Sequence, residues 1–257
     1  MSEFFVDSED ARGRGTSLAA WHSSSKLAAV PAITADILVP PNSRAVIVAP
    51  HPGDEVLCCG GLMSQLAFLQ RTLALISVSD GEGSHPGSAL WPEQRLKILR
   101  PQESVDALVR LGLGSTAIDW SRGGYPDGQL AEYEDQLVDF LSYHLQATDR
   151  VFATWAQDGL PDHEAVGRAA ARACEQVGAQ LYEVPIRAWH WAGPEDERLP
   201  WERARKLLLD PATQARKREA ALAFSSQLQG DPGVGLSPAL PSGILERLLQ
   251  PFELVFT

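Results

Sequence analysis

The chain has 257 residues, with 22 Lys and Arg against 33 Asp and Glu, giving a formal net charge of −11. That length can bury a large core within one α/β domain, and the acid excess argues against a nucleic-acid partner, because phosphate backbones select basic surfaces. No apolar run approaches the about 18 residues needed to cross a bilayer, so membrane insertion is not expected.

The N-terminal stretch MSEFFVDSEDARGRG is polar and acidic where a secretory signal would be basic and then apolar. Cys58 and Cys59 are adjacent and Cys174 is the third cysteine, an arrangement that does not suggest a disulfide framework. These features predict a cytoplasmic protein, built as an N-terminal arm over residues 1–40 and a single α/β domain over residues 41–257. The arm is expected to carry one short helix around Leu18–Leu27.

From Arg44 the pattern sharpens. Ala45–Ala49 is a β-branched run without alternation, as expected of a strand buried on both faces of a parallel sheet. A helical stretch follows over Val56–Gln70, then a second buried strand over Leu73–Val78. A helical segment runs up to Leu111 and is expected to be interrupted, or to start, at Pro101. Ala117–Trp120 reads as a third strand, and Leu130, Leu137, Val138, Leu141 and Leu145 form one apolar helical stripe. Val151–Trp155 reads as a fourth strand, Glu164–Gln176 as an Ala-rich helix and Leu181–Ile186 as a fifth strand. The tail predicts a helix over Pro211–Gln227, a Gly/Pro-rich loop at 229–243, a helix near 243–250 and a last strand over Glu253–Phe256. Regular alternation of strands and helices predicts a three-layer, Rossmann-like α/β sandwich with a mainly parallel sheet of five to seven strands.

In such sheets ligands bind beyond the carboxyl ends of the strands. Three polar segments fall there: Pro50-His51-Pro52-Gly53-Asp54-Glu55, Ser79-Asp80-Gly81-Glu82-Gly83-Ser84-His85-Pro86, and Gln157-Asp158-Gly159-Leu160-Pro161-Asp162-His163-Glu164. His51, Asp54 and His163 are therefore expected to meet at one rim. Two imidazoles and a carboxylate leave a coordination position open, the pattern of catalytic rather than structural zinc. Taken singly, each segment also reads as an ordinary turn, with Asp162 capping a helix; their meeting at the same rim favours the metal. Zinc is the expected ion, though iron or another divalent metal accepts the same ligands. His190, between Trp189 and Trp191 after the fifth strand, is expected at the same rim as a substrate contact, with the tryptophans as stacking or packing groups. Cys58 and Cys59 read as buried small hydrophobes.

The string Val46–Ala49, Pro50-His51-Pro52-Gly53-Asp54-Glu55-Val56-Leu57 and Gly60-Gly61 resembles the opening signature of the PIG-L/LmbE-like N-deacetylases. Asp158–Gly167 is similar to their second metal motif, and the resemblance spans roughly residues 40–230. It implies a zinc-dependent hydrolase that acts on C–N amide bonds and removes acetyl groups from N-acetylglucosamine-type or related acylated amines. The implied metal ligands are His51, Asp54 and His163, and the implied substrate contacts are Arg100 and Asp127. Two positions depart from the family pattern. The family's proposed general-base Asp is replaced by Gly53, and its accessory His by Leu160. The resulting expectation is an impaired enzyme whose general base is missing. Its proton work would pass to another group, with Asp162 and Glu55 named as catalytic candidates beside Glu82, His85 and His190. The alternative is a catalytically degenerate homologue that keeps the metal and binds a sugar or a partner protein. A nucleotide-phosphate loop fails for lack of a Gly-x-Gly-x-x-Gly after the first strand. The partner expected is a small acylated amino sugar or related amine, and a homo-oligomer stays open.

Overall fold

The computed structural model describes residues 15–114 and 118–257. Its centre is an eight-stranded sheet with strands β1 (Ala32–Ile33), β2 (Arg44–Ala49), β3 (Thr72–Ser79), β4 (Ile118–Tyr125), β5 (Arg150–Thr154), β6 (Gln180–Val184), β7 (Ala204–Leu208) and β8 (Phe252–Phe256) in the order β1-β7-β8-β6-β5-β2-β3-β4. All neighbours run parallel except β8, which lies antiparallel to β6 and β7. The expected mainly parallel α/β sandwich is present. Its sheet reaches eight strands because the two-residue β1 and the charged Ala204–Leu208 segment join one end, neither of which has a strand-like apolar pattern. Ala117, expected to begin the third strand, lies outside the described residues.

β2 shows why both faces are covered. Ala45, Ile47 and Ala49 pack into one core with the Asp54–Phe68, Glu93–Arg110 and Pro211–Ala221 helices, whereas Val46 and Val48 pack into another with the Glu134–His144 and Pro161–Val177 helices. Successive strand residues point to opposite faces, so a strand apolar at every position needs a layer on each side. From β2 the chain proceeds to β3 and β4 on one side, then returns to β5 and β6 on the other. The crevice between β2 and β5 is thus the point where the winding reverses, the usual place for a ligand in an open α/β sheet.

Several expected boundaries move. Two short helices, Leu18–His22 and Ser25–Ala29, replace the single one, each capped by a serine side chain. Trp21 in the first of them donates to the Trp189 carbonyl at 2.9 Å and fixes this segment on the body. The Glu93–Arg110 helix passes through Pro101 without a break. Proline removes one helical hydrogen bond, but side chains on both sides of it are held by the rest of the fold. Arg100 donates to the carbonyls of Gly81 and Pro52, Ser104 donates to Glu55, and Glu103 accepts from Ser225 and Ser226.

The Pro161–Val177 helix sits unusually close to the end of β5. A Cβ placed at Gly167 would stand 2.5 Å from the Thr154 carbonyl oxygen and 2.9 Å from the Ala156 nitrogen. One turn earlier, the Thr154 hydroxyl donates to the His163 carbonyl at 2.8 Å. Both neighbours of Gly167 are backbone, so Gly167→Ala must push the helix outward. We expect it to lower stability by about 1–3 kcal/mol in urea unfolding.

Candidate metal centre

His51 follows β2 on a tight turn and Asp54 opens the helix after it. The His51 amide donates to the Asp54 carboxylate at 3.0 Å, and His51 Nδ1 lies 3.2 Å from the same oxygen. Gly53 makes this turn at a φ of +114°, a conformation that favours glycine, and its amide donates to Glu55. His163 lies in the first turn of the Pro161–Val177 helix and brings Nε2 to 3.4 Å from Asp54. The donor atoms of His51, Asp54 and His163 all lie within 4.8 Å of one another.

Each imidazole is oriented from behind. Asp158, fully buried, meets His163 Nδ1 at 2.8 Å and accepts from the amides of Ile186, Arg187 and Ala188. His51 Nε2 is met by Asp162 and Asp127 at 3.0 Å each. Asp162 also accepts from the amides of Gly128 and Leu130, and Asp127 from that of Gly83. A carboxylate on the far nitrogen fixes the tautomer and direction of a metal-binding histidine. The donor set suits a divalent cation: two neutral-capable imidazoles, one carboxylate, and carboxylates behind both rings. Among the described residues Cys58 and Cys59 are buried and stand outside this set.

The electrostatics agree. Burial disfavours a charged His163, but Asp54 and Asp158 outweigh it and lift the imidazole to about 9. Burial likewise opposes charge on His51, and Asp127, Asp162 and Asp54 raise it well above its ordinary value. Burial would raise the Asp54 carboxyl, yet His163 and His51 hold it far below the carboxylate range. The cluster therefore binds positive charge tightly, as protons or as a cation.

Gly53 and Leu160 suggested from sequence an impaired enzyme without its general base. That reading is corrected here. Two intact His/Asp sets, His51–Asp54–His163 and His51–Asp127–Asp162, share one imidazole. The missing side chain at position 53 does not empty the site of carboxylates, because Asp127 and Asp162 reach His51 from other loops. The degenerate homologue loses its basis with it.

A cavity of about 220 Å³ opens on the cluster. Arg100, Asp127 and Leu160 line it, together with Ser84, Arg187 and Gln227. Of the other expected site residues, Glu55 is fully buried behind the turn, bonded to Ser104 and Gly53, and burial pushes its carboxyl up to about 7. His190 is buried against Arg247 and does not line this cavity. Asp158 and Arg187 were missed as site residues. Asp158 stood inside the second motif, but its role depends on amides supplied by residues 186–188.

The profile of the PIG-L family, described as GlcNAc-PI de-N-acetylase, matches residues 46–174. The chain belongs to that family. It is 27 % identical over 143 residues to a probable N-acetyl-alpha-D-glucosaminyl L-malate deacetylase 2 of Bacillus cereus, a match covering 52 % of this chain and 62 % of that relative. Solved structures share the fold. A deacetylase of teicoplanin biosynthesis superposes with a TM-score of 0.62 at 18 % identity, over 83 % of this chain and 97 % of that one. The N,N'-diacetylchitobiose deacetylase of Pyrococcus horikoshii gives 0.54 at 18 % identity, over 73 % and 71 %. A 4-carboxy-2-hydroxymuconate hydratase from Pseudomonas putida also gives 0.54, at 17 % identity, over 80 % and 82 %, so the fold alone does not fix the chemistry. Among the described residues no helix is long and apolar enough to cross a membrane.

Because His163 holds a proton up to about pH 9 in the metal-free protein, cation binding below that pH must displace it. Zinc affinity measured by chelator competition should rise about tenfold per pH unit for each proton released, and level off above that pH. At fixed pH, Asp158→Asn should weaken affinity by about 10- to 100-fold.

Proposed function

We propose that this protein is a zinc-dependent, cytoplasmic N-deacetylase acting on an N-acetylglucosamine-type or related acylated amine. The observation that carries the reading is the His51–Asp54–His163 set, with a carboxylate behind each imidazole, at the floor of a cavity. Membership of the PIG-L family supports it.

In the reaction water adds to the amide carbonyl carbon and the C–N bond breaks. One product is a carboxylate and the other an amine that takes up a proton. A divalent ion held by His51, Asp54 and His163 supplies Lewis-acid activation of the amide and of water. Asp158 keeps His163 in the tautomer that leaves Nε2 free as a ligand. Asp162 fixes His51 through Nε2, in the tautomer that leaves Nδ1 free as a ligand, and, with Asp127, offers carboxylate oxygens for the proton that water releases. Asp127 and Arg100, on the cavity wall, contact the polar body of the amine. Glu55 acts through the Gly53 turn, as a positioning residue, by holding the Gly53 amide. His190, bonded to Arg247 and outside the cavity lining, takes no part in contacting substrate.

Zinc-loaded protein should release acetate from N-acetylglucosamine-type amides. His163→Ala should abolish turnover, and Asp162→Asn should lower kcat/KM by about 10- to 100-fold. Turnover that survives His163→Ala, or that is equal with and without zinc, would overturn the proposal.

A further inference from the structure

The cavity is two-sided. Its polar wall, with Ser84, Arg100 and Asp127, comes from the segment that carries the family match. A second part of the lining is apolar: Phe224, Leu240, Ile244 and Leu248 all lie beyond residue 174, where the match ends, and share that stretch with the polar Arg187 and Gln227. This wall is built rather than incidental. Phe224 is fully buried, and Leu240, Ile244 and Leu248 are each exposed by less than a tenth. The segment bearing them is pinned in place by a bond from Ser88 to Asp231 of 2.5 Å, by His85 against the Gln229 carbonyl at 3.1 Å, and by the Leu240 amide donating to the Gln227 carbonyl at 2.8 Å.

Gly53 connects this wall to the metal cluster. A Cβ there would stand 3.8 Å from the Phe224 ring, so glycine leaves the floor open between the ligand turn and the apolar side. Leu160, three residues before His163, adds another apolar group to the lining.

We infer that the apolar wall is an acyl subsite, and that the preferred substrate is an amide whose acyl group carries a chain of several carbons rather than a single methyl. The inference rests on the amide-hydrolase reading of the site. An amide carbonyl has two substituents. With the amine's polar body on the Arg100–Asp127 side, the acyl substituent is directed to the other, where each buried methylene favours binding by about fourfold.

The test uses the zinc-loaded full chain with glucosamine acylated by acetyl, butanoyl and hexanoyl groups, beside an amine series of N-acetylglucosamine methyl and hexyl glycosides. Binding of acetate and hexanoate is measured by calorimetry as a readout independent of turnover. We expect kcat/KM to rise by up to about 250-fold from acetyl to hexanoyl, about fourfold for each of the four added methylenes, with little gain along the glycoside series. Hexanoate should bind at least tenfold more tightly than acetate. Leu240→Asp should collapse the hexanoyl-to-acetyl ratio. Because that change lies in a buried wall, Ala239→Phe, at an exposed lining position, gives a second variant that narrows the subsite without burying a charge and should lower the same ratio. Turnover of acetyl but not hexanoyl amides would overturn the inference, as would a preference that appears only along the glycoside series. If no amide is cleaved, the deacetylase reading fails. The subsite is then decided by calorimetry, with equal binding of acetate and hexanoate overturning it and tighter hexanoate binding supporting it.

Discussion

Asp158 is fully buried, and its two oxygens take three amides from residues 186–188 and one imidazole nitrogen from His163. A buried carboxylate is tolerated only when its lone pairs are filled in this way. Because the amides belong to the exit of β6 and the imidazole to the helix after β5, one side chain locks two neighbouring strand ends together and aims His163 toward the β2 loop. The partner ring is fixed by the same principle, since Asp162 reaches back from the helix after β5 to His51 after β2. The segment after β5 therefore braces both rings: it supplies His163, Asp158 that orients it, and Asp162 that orients His51 across the crevice.

That bracing explains why the helix at Pro161–Val177 must approach so closely. Gly167 lets it rest on the Thr154 and Ala156 backbone, and Thr154 holds the His163 carbonyl. The other half of the cavity is held by a different device. Arg100 reaches the carbonyls of Gly81 and Pro52, joining the loops after β3 and β2, and so fixes the wall on which Asp127 stands.

Much of this was legible in the chain. The buried strands at Arg44–Ala49, Thr72–Ser79 and Arg150–Thr154 are apolar runs bounded by polar loops, and their parallel winding follows from the helices between them. The ligand set was legible because its three residues fall in loops that the topology brings to one rim. What escaped depends on long-range partners. β1 and β7 pair with each other, and the Arg and Lys in β7 hide its strand character. The continuity of the helix through Pro101 depends on bonds to other loops. Substitutions at positions 53 and 160 read as losses only while the carboxylates at 127 and 162 could not be placed. His190 shares its surroundings with Arg247, far along the chain, which no local pattern announces.

The central claim is that two imidazoles and one carboxylate from separate loops hold a single cation. X-ray absorption at the zinc edge of the fully loaded chain tests it most directly. The account predicts one zinc per chain, scattering consistent with two imidazole rings and only nitrogen or oxygen in the inner shell. Sulfur at about 2.3 Å, which would bring in the Cys58–Cys59 pair, or a signal with fewer than two imidazoles, would contradict it.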